Sequence, residues 1–252
     1  MMGIFDMFKK KETKQETACN SIATSMDSNV GTSKIDLRKQ TFKISLEKKS
    51  MQNTVARVSL IIDESYSMQD LYNDGTIQET IERLLPVAIK LDDNSELDVW
   101  TFNNHFKRMK PIKETDFKGY VDNVLMKDIS WGGTSYAPVI KDIVKKYIKE
   151  EPSNIPTFVI FITDGENNDR EQAKQAIIEA SNHNIFWQFI GIGNESFRFL
   201  SELDTMQGRK VDNANFFKLK DMSKISDEKL YDMSMNEYPS WEKEAKKLGI
   251  IK

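Results

Sequence analysis

Residues 58–67 read Val-Ser-Leu-Ile-Ile-Asp-Glu-Ser-Tyr-Ser and are the most informative segment of the chain. The nearly continuous apolar run from Val58 to Ile62 is typical of a strand buried on both faces, as in parallel sheets. Oxygen-bearing side chains then follow at every second position, at Asp63, Ser65 and Ser67. Alternate residues of an extended segment point to the same side. One carboxylate and two hydroxyls are therefore expected together at the end of a rigid strand, and such hard oxygen ligands suit Mg2+ or Mn2+.

Strand and helix patterns alternate along the rest of the chain. Further strands are predicted at 97–102, 106–112 (an edge strand), 157–162, 185–190 and near 216–217. Helices are predicted at 76–91, 134–150, 170–181, 195–203, 223–235 and 239–248. The alternation predicts an α/β fold, a doubly wound, mostly parallel sheet of strand order 3-2-1-4-5-6 with helices on both faces.

Two other segments belong with the first strand. Trp131-Gly132-Gly133-Thr134-Ser135 is a glycine turn that opens a helix, and Thr163-Asp164-Gly165 closes a buried strand. In the predicted order, the first and fourth strands are neighbours at the point where strand order reverses, and ligands bind there. Asp63 and Asp164 are therefore expected to face one crevice, with Thr134 on the loop above it. The polar residues 166–169 beside this crevice are expected to be solvated or to cap the helix at 170.

The motifs Asp-x-Ser-x-Ser, Gly-Gly-Thr and Thr-Asp-Gly occur in this order and resemble the metal-ion-dependent adhesion site (MIDAS) of von Willebrand factor A-type domains. The resemblance covers about residues 52 to 220. It implies a protein-interaction module that binds Mg2+ or Mn2+ and is not an enzyme. It also implies that Ser65, Ser67 and Thr134 ligate the ion directly, that Asp63 and Asp164 act through water, and that an open position accepts an acidic group of a partner. Glu64 and Tyr66 occupy variable positions where relatives often have a small residue.

Further segments are similar to bacterial tellurium-resistance proteins of the TerF and TerD type. They are residues 35–40, 44–49, 96–100, 186–193 and 211–217. This narrower resemblance covers about residues 35 to 251 and is to the TerF-like subgroup. It implies a cytoplasmic bacterial protein of a tellurite or chemical stress response, with a TerD-type protein as an expected partner.

Composition excludes several classes of protein. The net charge of −3 gives no reason to expect a nucleic-acid partner. Cys19 is the only cysteine, so neither an intrachain disulfide nor a cysteine zinc site is available. No apolar run approaches the roughly 18 residues that would indicate a transmembrane segment. The first residues lack the charge order of a secretory signal, and a cytoplasmic location is therefore predicted.

The chain is predicted to have three parts. Residues 1–34 form a flexible tail, and residues 35–51 form a lead-in with two short, half-buried strands at 35–37 and 42–46. Residues 52–252 form the A-type domain with its C-terminal helices. Two interpretations of Ile4, Phe5 and Phe8 stay open: a weakly ordered tail, or one amphipathic turn that contacts a partner or a membrane.

The alternative function is a Mg2+-dependent phosphoryl hydrolase or transferase of the haloacid dehalogenase-like type. Such enzymes also have a nucleophilic Asp after the first buried strand, which invites comparison with Asp63. Their chemistry normally needs a second Asp two residues later as general acid and base. This chain has Ser65 there, which favours the binding module. A structural subunit with a vacant crevice is a third interpretation that no sequence feature excludes.

Overall fold

The computed structural model describes residues 34–252, apart from the side chain of Asp204. The predicted tail and its apolar residues Ile4, Phe5 and Phe8 lie outside the described residues, except for Lys34. None of the helices within residues 34–252 combines the length and the hydrophobicity that a membrane span needs.

A six-stranded sheet has the order β3-β2-β1-β4-β5-β6, which confirms the predicted fold class and strand order. Only β3 is antiparallel to its neighbour; all other pairs are parallel. Every residue of the first, fourth and fifth strands is buried, which explains their continuous apolar runs. The strands are β1 (Arg57–Asp63), β2 (Asp98–Phe102), β3 (Phe106–Arg108), β4 (Thr157–Thr163), β5 (Ile185–Ile192) and β6 (Ala214–Leu219).

Helices cover both faces of the sheet. The described helices are α1 (34–48), α2 (Gln69–Asn73), α3 (Thr76–Leu91), α4 (Met126–Asp128), α5 (Ala137–Val144), α6 (Arg170–Ala180), α7 (Arg198–Ser201), α8 (Asp227–Ser234) and α9 (Tyr238–Lys247). Short 3-10 turns lie at Tyr66–Met68, Leu203–Thr205 and Met222–Lys224, and π-helical turns at Val121–Leu125 and Lys145–Glu150.

Each face of the sheet has its own hydrophobic cluster. Leu60 and Ile62 of β1 contribute to the cluster under α1, α3, α8 and α9. Ile61, between them, contributes to the cluster under α5, α6 and α7. This alternation follows from the period of a strand, whose successive side chains point to opposite faces. With both faces covered, the carboxyl ends of the strands are left for a binding site.

The prediction of two short strands in the lead-in was wrong, because residues 34–48 form the helix α1. Ile35, Phe42 and Leu46 are buried at helical spacing, whereas Leu37 and Ile44 are 62% and 47% exposed. These two exposed apolar residues produced a local alternation that resembled strands. The buried positions follow the period of about 3.6 residues that an amphipathic helix requires.

Helix α1 packs directly on α8. Phe42 and Tyr231 make an edge-to-face contact with ring centroids 5.1 Å apart. Ser45 Oγ donates a hydrogen bond of 2.5 Å to Asp232 Oδ1, and Arg38 Nε lies 3.3 Å from Asp227 Oδ2. The lead-in therefore shares its hydrophobic cluster with the domain that follows it.

Candidate metal centre

Asp63 is the last residue of β1 and is fully buried, with 0% exposure. Its Oδ1 accepts a hydrogen bond of 2.7 Å from the Ser65 backbone N–H. Its Oδ2 accepts one of 2.6 Å from the Thr163 hydroxyl at the end of β4. Both oxygens are thus held by the chain itself, so the carboxylate has one orientation.

The two serines continue this arrangement towards the surface. The Oγ atoms of Ser65 and Ser67 lie 3.1 Å apart, and Ser67 Oγ donates a bond of 2.8 Å to Asp164 Oδ1. The structure therefore brings four of the five predicted residues into one hydrogen-bonded chain, from Asp63 to Asp164. The strand register explains why these residues lie close together. Ile62 of β1 pairs with Ile162 of β4, so the two strands end side by side.

The fifth residue, Thr134, lies on a loop that is tied to both strand ends. Gly132 forms a parallel bridge with Ser65, and its carbonyl accepts a bond of 3.0 Å from the Tyr66 N–H. The Thr134 carbonyl accepts a bond of 2.8 Å from the N–H of Asn168, which follows β4. Thr134 is buried. Its backbone is therefore held between the segments that carry Ser65 and Asp164.

Two acidic residues of the loop after β4 accept hydrogen bonds from residues at the starts of neighbouring helices. Asp169 accepts hydrogen bonds of 2.9 and 2.8 Å from the N–H groups of Tyr136 and Ala137. Its side chain thus caps the start of α5, while its backbone carbonyl accepts a bond of 2.8 Å from the Ala173 N–H at the start of α6, as its predicted place before that helix requires. Glu166 accepts bonds from the Ser196 hydroxyl and the Arg198 N–H, which join this loop to the start of α7.

The electrostatics of the centre favour a bound cation. Burial raises the pKa of Asp63 to about 7, although hydrogen bonds from Thr163 and Ser65 partly oppose the rise. Burial also raises the pKa of Asp164. Desolvation disfavours both carboxylate anions, and a nearby positive charge would stabilise them.

The donor set fits a hard divalent ion. Residues 34–252 contain no group of three or more His, Cys, Asp or Glu that could hold a metal ion. A metal here must therefore use hydroxyl oxygens beside the two carboxylates, and oxygen ligands of this kind suit Mg2+ or Mn2+.

Sequence reasoning gave no role to three residues that lie around the centre. Thr163 orients Asp63, and its only sequence signal is its place immediately before Asp164. Tyr72 donates a bond of 3.1 Å to the Asp63 carbonyl. Glu64, in a variable position of the motif, is only 2% exposed, whereas its neighbour Tyr66 is 65% exposed. Burial of Glu64 raises the pKa of this carboxyl.

Known proteins with similar sequences include von Willebrand factor A domains. The chain matches the vWA-TerF-like family model, described as the vWA found in the TerF C terminus, over residues 55–251. It is 46% identical over 221 residues to YcbR of Bacillus subtilis (strain 168), covering 86% of this chain and 90% of YcbR. It is 25% identical over 210 residues to the human collagen alpha-5(VI) chain, covering 77% of this chain but 8% of the collagen.

Solved structures share the fold. Proximal thread matrix protein 1 from the mussel byssus, with a zinc-occupied MIDAS motif, aligns with a TM-score of 0.51 and 18% identity. The von Willebrand factor type A structure from Catenulispora acidiphila aligns with a TM-score of 0.50 and 14% identity. The alignments cover 73% and 72% of this chain but only 46% and 43% of those chains. The chain thus belongs to the vWA-TerF-like family of von Willebrand factor A domains.

Proposed function

We propose that this chain is a metal-dependent adaptor in a bacterial tellurite or chemical stress resistance system. Its family has a metal-dependent adhesion and protein-interaction fold. The observation that carries the proposal is the series of hydrogen bonds that runs from Asp63 through Ser65 and Ser67 to Asp164 and joins the ends of β1 and β4. The proposed metal-binding residues are Asp63, Ser65, Ser67, Thr134 and Asp164.

The ligand types determine what such a centre binds. Ser65, Ser67 and Thr134 are the proposed direct ligands, and their hydroxyls are neutral. Asp63 and Asp164 are proposed to act through water. A bound Mg2+ or Mn2+ would supply a positive charge that these ligands compensate only in part, and it would attract an anionic group. Ser67 is exposed, which supports approach of a partner's Asp, Glu or C-terminal carboxylate from that side.

The surroundings of Asp63 argue against the phosphoryl-transfer alternative. A nucleophilic carboxylate needs an oxygen that can reach the substrate. Asp63 has no exposed surface, and both of its oxygens accept hydrogen bonds from the chain. Ser65 has no carboxyl group for general acid and base catalysis. We therefore favour binding over catalysis.

The biological setting is inferred from the family alone. Membership in the TerF-like family supports a role in tellurite or related chemical stress, in the cytoplasm of a bacterium. A TerD-type protein that presents an acidic residue is the proposed partner. Neither a nucleic acid nor a transmembrane segment is part of the proposal.

Titration with Mn2+, followed by partner capture, tests this function. Wild type is expected to bind Mn2+ in calorimetry and to retain a TerD-type protein in Mg2+ but not in EDTA. Asp63→Ala should lose both properties. Asp142→Ala is the matched control, because Asp142 is a buried carboxylate that contacts Trp100 and Arg108 instead. Unchanged metal affinity and capture in Asp63→Ala would refute the proposal, and Mn2+-dependent turnover of a phosphate ester would favour the enzyme.

A further inference from the structure

We infer that Glu64 is a positioning residue of the metal centre, acting through Asn103 on the loop 130–135 that carries Thr134. This inference rests on the proposed metal site. Glu64 lies between Asp63 and Ser65 in the sequence, yet its side chain is turned into the protein and is 2% exposed. A buried carboxylate is costly unless it is paired or hydrogen-bonded, so its partners show what it does.

The partners of Glu64 lie directly after β2, on β3 and on the loop. Its Oε1 accepts hydrogen bonds from Asn103 Nδ2 at 3.2 Å and from Ser130 Oγ at 3.4 Å. Lys107 Nζ lies 3.8 Å from the same oxygen. The carboxylate of Glu64 therefore joins the end of β1 to Asn103 and to the first residue of the loop.

Asn103 holds the loop at both of its ends. Its Nδ2 also donates to the Ser130 carbonyl, and its own backbone carbonyl accepts a bond of 3.0 Å from the Ser135 N–H. Its Oδ1 accepts a bond of 2.8 Å from the His105 N–H. The NH2 group must face Glu64 and Ser130 for all these bonds to form, because the amide oxygen is an acceptor only.

The middle of the loop packs against the same amide. A Cβ atom on Gly132 would lie 3.1 Å from the Asn103 side chain, which is tighter than an ordinary contact and shows how closely the loop approaches this side chain. Gly132 is also the residue that bridges Ser65. The orientation of the Asn103 amide therefore sets the distance between the loop and the serines, and with it the position of Thr134. Glu64 and the Ser130 carbonyl are the acceptors that hold this orientation, and Glu64 is the one that ties it to the end of β1.

Two substitutions separate positioning from a simple effect of charge. In Glu64→Gln the side-chain carbonyl still accepts the bonds from Asn103 and Ser130, although the negative charge is lost. In Glu64→Leu both the acceptor and the charge are lost. Positioning predicts that Glu64→Gln binds Mn2+ nearly as tightly as wild type, whereas Glu64→Leu binds it about 10- to 100-fold more weakly, as is typical when an outer partner of a metal ligand is removed.

Calorimetric titration with Mn2+ alone, together with hydrogen exchange of the amides of residues 130–135, is the test. Glu64→Leu should accelerate hydrogen exchange of the Ser135 N–H, which donates to the Asn103 backbone carbonyl. Glu64→Gln should not accelerate it. Equal weakening of Mn2+ binding in both variants would show that charge alone matters and would overturn the inference. Wild-type affinity and wild-type exchange in Glu64→Leu would overturn it as well.

Asp142→Leu controls for the loss of a buried carboxylate as such. Asp142 accepts bonds from Trp100 Nε1 at 2.9 Å and from Arg108 Nε at 2.7 Å, away from the loop. Its replacement should reduce stability but leave the Mn2+ affinity and the exchange of residues 130–135 unchanged. If Asp142→Leu weakens Mn2+ binding as much as Glu64→Leu, the positioning role is refuted. Absence of Mn2+ binding in wild type would instead refute the proposed function, and with it any role of Glu64 in a metal centre.

Discussion

The Ser67 hydroxyl donates a hydrogen bond of 2.8 Å to Oδ1 of Asp164, which lies 97 residues later in the chain. This bond joins the segment after β1 to the segment after β4. In the proposed centre, a divalent ion would bind the Ser67 oxygen and would also stabilise the negative charge of the Asp164 carboxylate.

Ser67→Ala removes this oxygen without disturbing the core. We expect the Mn2+ affinity to fall by at least about tenfold, because a proposed hydroxyl ligand is lost. The free energy of unfolding should change by less than about 0.5 kcal/mol, because Ser67 is exposed. Calorimetric titration and urea unfolding measure the two quantities. Ser153→Ala, at an exposed serine before β4, is the matched control, and equal Mn2+ affinities of the two variants would contradict ligation by Ser67.

Asp63 should make the stability of the metal-free protein depend on pH. Its folded pKa of about 7 lies above the ordinary value of 3.8, so the folded state binds the proton more tightly than the unfolded state. The resulting stabilisation is fully present below pH 3.8 and is lost as pH rises to about 7. Since one pKa unit corresponds to about 1.4 kcal/mol, the loss amounts to about 4 kcal/mol.

Asp63→Asn isolates this contribution, because asparagine does not titrate. Urea unfolding in EDTA at pH 5 and pH 8 should show a smaller loss of stability in the variant than in wild type. Other groups, such as Asp92 with a raised pKa of about 6 and Glu150 with a lowered pKa of about 2, titrate equally in both proteins. Parallel stability curves of wild type and Asp63→Asn would show that Asp63 is not the group responsible.

Helix α1 should contribute strongly to stability although it precedes the family match, which begins at residue 55. Phe42→Ala removes a fully buried ring that contacts Tyr231, and we expect a loss of about 3–5 kcal/mol in the free energy of unfolding. Leu37→Ala on the exposed side of the same helix should cost less than about 0.5 kcal/mol. Urea unfolding of both variants measures this difference, and comparable losses would mean that α1 does not pack as described.

Gly191→Ala should destabilise the connection between β5 and α7. A Cβ atom there would lie 2.8 Å from the Phe197 ring. Phe197 is buried, so its ring is surrounded by other side chains, and its φ of 49° already lies in the left-handed region. We expect a loss of about 1–3 kcal/mol in thermal or urea unfolding. Gly165→Ala is the control, because a Cβ there meets nothing within 4 Å, and equal stability of both variants would contradict the packing.

Much of the centre could be predicted from short segments. The apolar run before Asp63 and the one before Asp164 indicated buried strands, because residues buried on both faces must be apolar. The strand order then placed both acids at one edge, as β1 and β4 confirm. Helix α3 begins at Thr76 and ends at Leu91, as its apolar spacing predicted. In α1 the prediction was wrong, since burial of Phe42 depends on contact with Tyr231, 189 residues away in the chain.

Local sequence patterns were sufficient to predict the six strands of the sheet, their order and the oxygen-bearing residues at the strand ends, but not the helix α1. These features depend on local periodicity and on the chirality of strand connections. Contacts in the folded chain, by contrast, turn Glu64 inward while Tyr66 remains exposed, and place the Asp169 side chain at the start of α5. The physical reason is that the environment of a polar side chain is set by partners distant in sequence, such as Asn103 and Ser130 for Glu64.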